Sequence, residues 1–351
     1  MAVSEEWIRA LPKTDLHCHL DGSLRIETIL ELAEQQKVKL PADNPDDLRK
    51  LIVCGEHTTS LEDYLRGFDI TLSVLQTEDA LRRIAYELVE DVTAENVWYV
   101  EARFSPILHT NKGLSMGRII EAVLAGLKEG EKKFGTRARM ILCGMRNMSP
   151  RTTQLLAELC IAYKYLGVVG FDLAGAEEDF PAKHHREAFD LVRSNNINCT
   201  IHAGESYGPK SIHQAIHDCG AHRIGHGTHL KEDGDLLNYV NDHRIPLEIC
   251  LTSNLHTKSI DDIKSHPLRL FYDYGLRVTV NTDNRLMSDT TVTKELMLAA
   301  AAFNFTESEI RDIIIFGFKS AFLHYQARVD LLNEALRRLA DIKIPAIVDK
   351  L

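Results

Sequence analysis

The chain has 351 residues, 44% of them hydrophobic and 26% charged, which is an ordinary globular balance. Its formal net charge of -10 disfavours binding to a polyanion such as DNA. No apolar run approaches the roughly 18 residues of a membrane span, and the opening MAVSEEWIRALP lacks the apolar core of a signal peptide. A cytoplasmic protein is expected, with no nucleic-acid or membrane partner and an oligomeric state that the sequence leaves unknown.

Short apolar runs alternate with longer amphipathic ones along the chain. A first strand is expected at Asp15–His19. The stretch Leu24–Thr77 is too long for one crossover and is expected to hold extra helices beside a barrel mouth. Ala80–Asn96 reads as a helix, because Leu81, Ile84, Ala85, Leu88, Val89 and Val92 recur at three- and four-residue spacing. A strand at Val97–Phe104, a helix at Ser115–Phe134 and a strand at Arg139–Met145 follow. SPRTTQLLAELCIAYKYLG opens with a Ser cap and a Pro at the first helical position, and it ends near a Gly. Further strands are expected at Val168–Leu173, Asn198–Ala203, Arg223–Gly227, Pro246–Leu251 and Arg277–Thr282. Shorter helices at Ser211–Cys219, Asp233–Asp242 and Pro267–Tyr274 lead into the last of them. Val292–Phe303, Thr306–Leu323 and Asp330–Asp341 close the chain as helices.

Strands alternating with helices imply a parallel sheet. Eight strand runs without a Pro/Gly/Ser linker predict one α/β domain over residues 1–351, a closed (β/α)8 TIM-like barrel. The competing doubly wound sheet lacks its GxGxxG after a strand. Seven cysteines without a CxxC, several of them in strand-like runs, read as buried thiols in a reducing compartment.

In such barrels the reactive groups sit at the C-terminal ends of the strands. The expected ends carry a selective set. TDLHCHLDGSL supplies His17, His19 and Asp21, with the two histidines on one strand face; CTIHAGES supplies His202, and VTVNTDN supplies Asp283. Any single one of the 16 histidines is more often structural than a ligand. Their coincidence at the ends of one barrel makes His17, His19, His202 and Asp283 a three-nitrogen, one-oxygen set for a divalent ion, most naturally zinc. Glu205, beside Gly204, and His226, between Gly225 and Gly227, then make an acid/base pair for hydrolysis; a surface Glu and a structural His are the bland alternatives. His222 and His229 are left as structural or surface residues.

DLHCHLDGSL, GFDLAGAE, IHAGE, RIGHGTH and VNTDN occur in the order and approximate spacing of the adenosine deaminase family, in the amidohydrolase superfamily. The resemblance covers nearly the whole chain. It implies one zinc per chain on His17, His19, His202 and Asp283, with metal-activated water attacking C6 of adenosine to release ammonia. It further implies that Glu205 gives a proton to purine N1 and that His226 orients and activates the water. Gly175 would offer its N–H to N3, Asp21 would hold a ribose hydroxyl, and His19 would also border the substrate. Many amidohydrolases hold two metals bridged by a carboxylated Lys on the fourth strand, but no Lys lies in Val168–Gly175, so a single ion is expected. Better-known animal members carry a second Asp after the ligand Asp, whereas this chain has Asn284, which bears on contact with N7.

Two alternatives remain at this level. A related deaminase could act on adenine or on aminodeoxyfutalosine; adenine deaminases of this family tend to carry Glu at the position of Asp21, which favours a nucleoside here. A catalytically dead barrel that binds nucleoside as a regulator would need neither Glu205 nor His226.

Overall fold

The computed structural model describes residues 3–55 and 61–342. Eight parallel strands pair in sequence order: β1 Lys13–His19, β2 Val97–Phe104, β3 Arg137–Met145, β4 Val168–Ala174, β5 Asn198–Ala203, β6 Arg223–His226, β7 Leu247–Ile249 and β8 Val278–Val280. The ring closes just past β8. Cys18 bridges Asp283, with His19 N–H donating to the Asp283 carbonyl and Asp283 N–H to the His17 carbonyl, both at 2.7 Å.

Helices wrap the barrel because each carries one apolar stripe. In Glu78–Thr93, Leu81, Ile84, Ala85, Leu88, Val89 and Val92 are all buried. Met116–Phe134 packs against that helix, and close approach is built in at Gly126, where a Cβ would collide with the Arg82 carbonyl. Ser149 caps its helix as expected, accepting from Thr152 N–H, and Ser115 caps Met116–Phe134 by accepting from Arg118 N–H. At the other end of the barrel Lys13 is fully buried, and its Nζ donates to the carbonyls of Ile8, Arg9 and Leu11 at the end of the first helix.

Three helices, Ile26–Gln36, Pro45–Ile52 and Leu61–Val74, occupy the long insertion after β1; residues 56–60 of that stretch lie outside the described residues. Some expected bounds move. β8 stops at Val280 because Asn281 turns its side chain into the ladder, its Oδ1 accepting from Leu16 N–H at 2.9 Å. β7 stops at Ile249 because Leu251 already begins a helix, Leu251–His256. The single helix expected at Ser211–Cys219 is instead a short α-helix, Pro209–His213, running into a π turn at Gln214–Asp218. All seven cysteines are buried free thiols, and no helix among the described residues is long and apolar enough to cross a membrane.

Candidate active site at the barrel mouth

Each functional side chain is delivered by a strand end. His17 and His19 come from the end of β1, His202 from β5, His226 from β6 and Asp283 from just beyond β8. His226 and Asp283 hold left-handed backbone conformations, with φ of 65° and 61°, which turn their side chains inward. Such conformations are costly for residues with a Cβ, and they persist where the surroundings impose them.

The imidazole and carboxylate atoms converge. His202 Nε2 lies 3.1 Å from both His17 Nε2 and His19 Nε2, while Asp283 Oδ1 lies 3.3 Å from the same two nitrogens. His226 faces the group from the side, and one ligand atom each from His17, His202, His226 and Asp283 lies within 4.8 Å of the others.

The far sides of two rings fix their tautomers. His17 Nδ1 donates to Glu248 Oε2 at 2.9 Å, and His202 Nδ1 donates to the Asp172 carboxylate at 3.1 Å. A neutral ring that donates through Nδ1 presents a bare lone pair at Nε2. Two such lone pairs 3.1 Å apart repel each other, and a cation between them turns the repulsion into coordination. The donor set therefore fits a divalent metal, with carboxylates behind the rings as such sites require.

Glu248 and Asp172 are themselves held. Burial alone would raise the Glu248 carboxyl, but the Arg103 and Arg223 guanidiniums keep it well below the usual carboxylate range. Arg103, fully buried, joins the two supporting acids, reaching Asp172 Oδ2 at 3.0 Å and Glu248 Oε2 at 2.9 Å. Ser253 Oγ donates to the second oxygen of Asp283 at 2.5 Å.

Glu205 stands beside this centre, its Oε2 3.6 Å from His226 Nε2 and its side chain 16% exposed. Its loop is pinned by Glu177, whose two oxygens accept from the N–H groups of Gly204 and Glu205, each at 3.0 Å. Burial, followed by the charges of Asp283 and Glu177, pushes the Glu205 carboxyl up to about 8. A carboxylic acid that keeps its proton near neutral pH suits proton donation.

A cavity of about 320 Å³ opens over these groups, lined by His19, Asp21, Gly175, His202, Glu205, Asp283 and Asn284, with Phe68 and Leu72 as an apolar wall from the insertion. Gly175 has φ of 99°, a conformation that bares its backbone to the cavity without a side chain. Asn284 packs against Gly22, where a Cβ would strike its amide oxygen. Every candidate site residue read from the sequence thus meets at one mouth. His222 and His229 lie apart: His222 Nδ1 accepts from Cys199 N–H, and His229 pairs with Glu232.

Sequence reading missed the supporting residues Asp172, Glu177, Glu248, Arg103 and Asn254, and also His109. His109 Nδ1 donates to the Leu75 carbonyl at 2.9 Å, and its Nε2 faces Asp21 Oδ2 at 3.7 Å. Asp172 and Glu177 were within reach, because both lie in the GFDLAGAE motif. His109 and Asn254 carried no such signal.

A parallel eight-stranded barrel with three histidines and an aspartate gathered at its C-terminal mouth is the arrangement of the metal-dependent amidohydrolases. Within them the chain belongs to the adenosine deaminase family, whose model matches residues 12–337. It is 42% identical to the adenosine deaminase of Mycobacterium avium over 353 residues, covering 95% of this chain and 96% of that one. It is 43% identical to a probable adenosine deaminase of Dictyostelium discoideum over 335 residues; there it spans 95% of its own length but 43% of that protein. Among solved structures it resembles the adenine deaminase of Arthrobacter aurescens, with a TM-score of 0.87, 25% identity, and coverage of 94% of this chain and 99% of that chain.

Proposed function

We propose that the chain, acting as one domain over residues 1–351, is a cytoplasmic zinc enzyme that hydrolyses the 6-amino group of adenosine, and of 2′-deoxyadenosine, to give inosine and ammonia. The observation that carries the reading is the meeting of a metal-ready donor set with a high-pKa carboxyl, Glu205, across one cavity. The relatives 42–43% identical to the chain bear the name adenosine deaminase, whereas the adenine deaminase stands at 25%. That ordering favours a nucleoside over the free base.

One zinc ion would sit among His17, His19, His202 and Asp283, where, when bound, it supplies an acidified water. The remaining work belongs to the side chains. Glu205 gives its proton to N1, which draws electrons from the ring and opens C6 to attack. His226 holds the attacking water by hydrogen bonding. Asp21 accepts from a ribose hydroxyl, the Gly175 N–H meets N3, and the Asn284 amide offers a donor to the imidazole edge at N7. Phe68 and Leu72 keep bulk water off the purine face. In the resting state Arg103, Asp172 and Glu248 fix the ring orientations, so little reorganisation is needed at the moment of reaction.

Ammonia release on parallel addition of adenosine, 2′-deoxyadenosine, adenine and aminodeoxyfutalosine tests the reading, together with elemental analysis of the purified protein. Turnover of adenosine by protein carrying about one zinc per chain is expected. Turnover of adenine alone, two metals per chain, or full activity of metal-free protein would overturn it.

A further inference from the structure

A chain of hydrogen bonds running away from the site fixes the imidazole of His226, which faces Glu205. It starts at a backbone N–H, which can only donate. The backbone N–H of Leu268 donates to His266 Nδ1 at 3.0 Å, so that nitrogen is an acceptor. His266 is buried, and burial followed by the nearby Lys231 charge lowers it to about 3, so the ring is neutral and carries its hydrogen on Nε2.

His266 Nε2 lies 3.3 Å from Asn254 Oδ1, and Thr228 Oγ1 donates to the same oxygen at 3.3 Å. The atom of Asn254 that faces the Nε2–H of His266 must therefore be its oxygen, which the Thr228 hydroxyl also meets. The opposite end is then the NH₂, and it lies 3.1 Å from His226 Nδ1. That amide can only donate, so Nδ1 of His226 accepts. The hydrogen of a neutral His226 is left on Nε2, which is buried, has no protein hydrogen-bond partner and points toward Glu205.

We infer that Asn254, oriented by His266, is a positioning residue that locks His226 as its Nε2–H tautomer, so that His226 meets the attacking water as a donor to its oxygen and does not take its proton. The inference rests on the proposed hydrolysis. Protonating His226, or moving its hydrogen to Nδ1, sets an N–H against the Asn254 amide; turning that amide over sets its NH₂ against the Nε2–H of His266.

The protons of the reaction balance without His226. Water brings two. One replaces the proton that Glu205 gives to N1; the other leaves with the 6-amino group as ammonia, while the oxygen stays on C6. The ring keeps the proton on N1.

Neutron crystallography of the metal-loaded enzyme at neutral pD reads the tautomers directly. Deuterium on Nε2 of both His226 and His266, with none on Nδ1, is expected. Deuterium on His226 Nδ1 overturns the inference, even in an enzyme that deaminates adenosine normally. Asn254→Asp supplies the kinetic arm, since a carboxylate there accepts from both rings and reverses the His226 tautomer. Its kcat should fall by about 10²-fold, the usual scale for losing one preorganised donor, with KM and metal content little changed. His266→Gln, whose amide can still donate to Asn254, should keep most of the activity. Unchanged kcat in Asn254→Asp, or equal losses in both variants, would reduce Asn254 to a packing role.

Discussion

Glu248 receives the Nδ1–H of His17 across 2.9 Å, between two side chains that are both fully buried. The acid does more than orient one ring. Its other oxygen accepts from Thr200 Oγ1 and from Arg223 Nε, so it ties strands β1, β5 and β6 to its own strand, β7. Glu248→Gln is expected to present its NH₂ either to His17 and Arg103 or to Arg223, and either choice breaks at least one pairing. Outer partners of ligating histidines typically contribute about 10–100-fold to metal affinity. Competition with a chromogenic chelator should show a loss in that range, and unchanged affinity would make Glu248 a fold residue only.

Glu205→Gln retains shape and removes the transferable proton. A fall in kcat of at least about 10²-fold with little change in KM is expected, because general acid catalysis acts in the transition state. The wild-type pH profile carries a second signature. With the carboxyl raised to about 8, the proton-bearing form persists at neutral pH and is lost above that point. The kcat/KM for adenosine should therefore decline on the alkaline side as this raised carboxyl gives up its proton, and a flat profile to pH 9 counts against Glu205 as the acid.

His109 and Asp21 offer a test of what fills the far end of the cavity. His109 spends Nδ1 on the Leu75 carbonyl, so in its neutral form Nε2 and the Asp21 carboxylate are two acceptors side by side. A ligand hydroxyl between them satisfies at least one. His109→Phe keeps the ring that packs on Phe104 and deletes the acceptor. KM for adenosine should rise by about five- to tenfold, the scale of one hydrogen bond worth roughly 1 kcal/mol, and any residual turnover of adenine should be unaffected. Equal effects on both would remove His109 from sugar recognition.

Glu295 provides a stability handle away from the chemistry. It is buried with Thr252 and Thr290 hydroxyls as partners, and burial raises it to about 7 from an ordinary value of 4.5. Between those two values the folded chain holds a proton that the unfolded chain has released. Stability contributed by the protonated acid is thus fully present below pH 4.5 and is lost as pH climbs to about 7, by roughly 3 kcal/mol in all. Glu295→Gln should flatten that part of the pH dependence in urea titrations. A variant with the wild-type slope would place the linkage elsewhere.

Much of this was legible in local sequence, and the reason is geometric. In a barrel every strand end faces one mouth, so a motif at the end of a run already says where its side chains go. Hence His17, His19, His202, Glu205, His226 and Asp283 could be gathered from four short segments. The helices were equally plain where an apolar stripe runs for several turns, as in Met116–Phe134. Short β7 and β8 were overextended because an apolar run does not reveal where a side chain such as Asn281 takes over the ladder. The supporting shell was out of reach for another reason. Arg103, Glu248 and Asn254 matter only through partners far along the chain, and isolated polar residues in apolar runs carry no periodic signal.

The barrel's seam and its chemical centre share the same atoms' neighbours. The backbone bonds that close the ring run between His17, His19 and Asp283, the residues whose side chains converge at the mouth. An incomplete ring therefore has no such convergence to offer. During synthesis, β1 emerges early with two of the nitrogens and waits for the final strand to arrive with the oxygen. With the proposed ligand set, ion capture would report completed folding, and a chain truncated before Asp283 would lose the seam together with a donor.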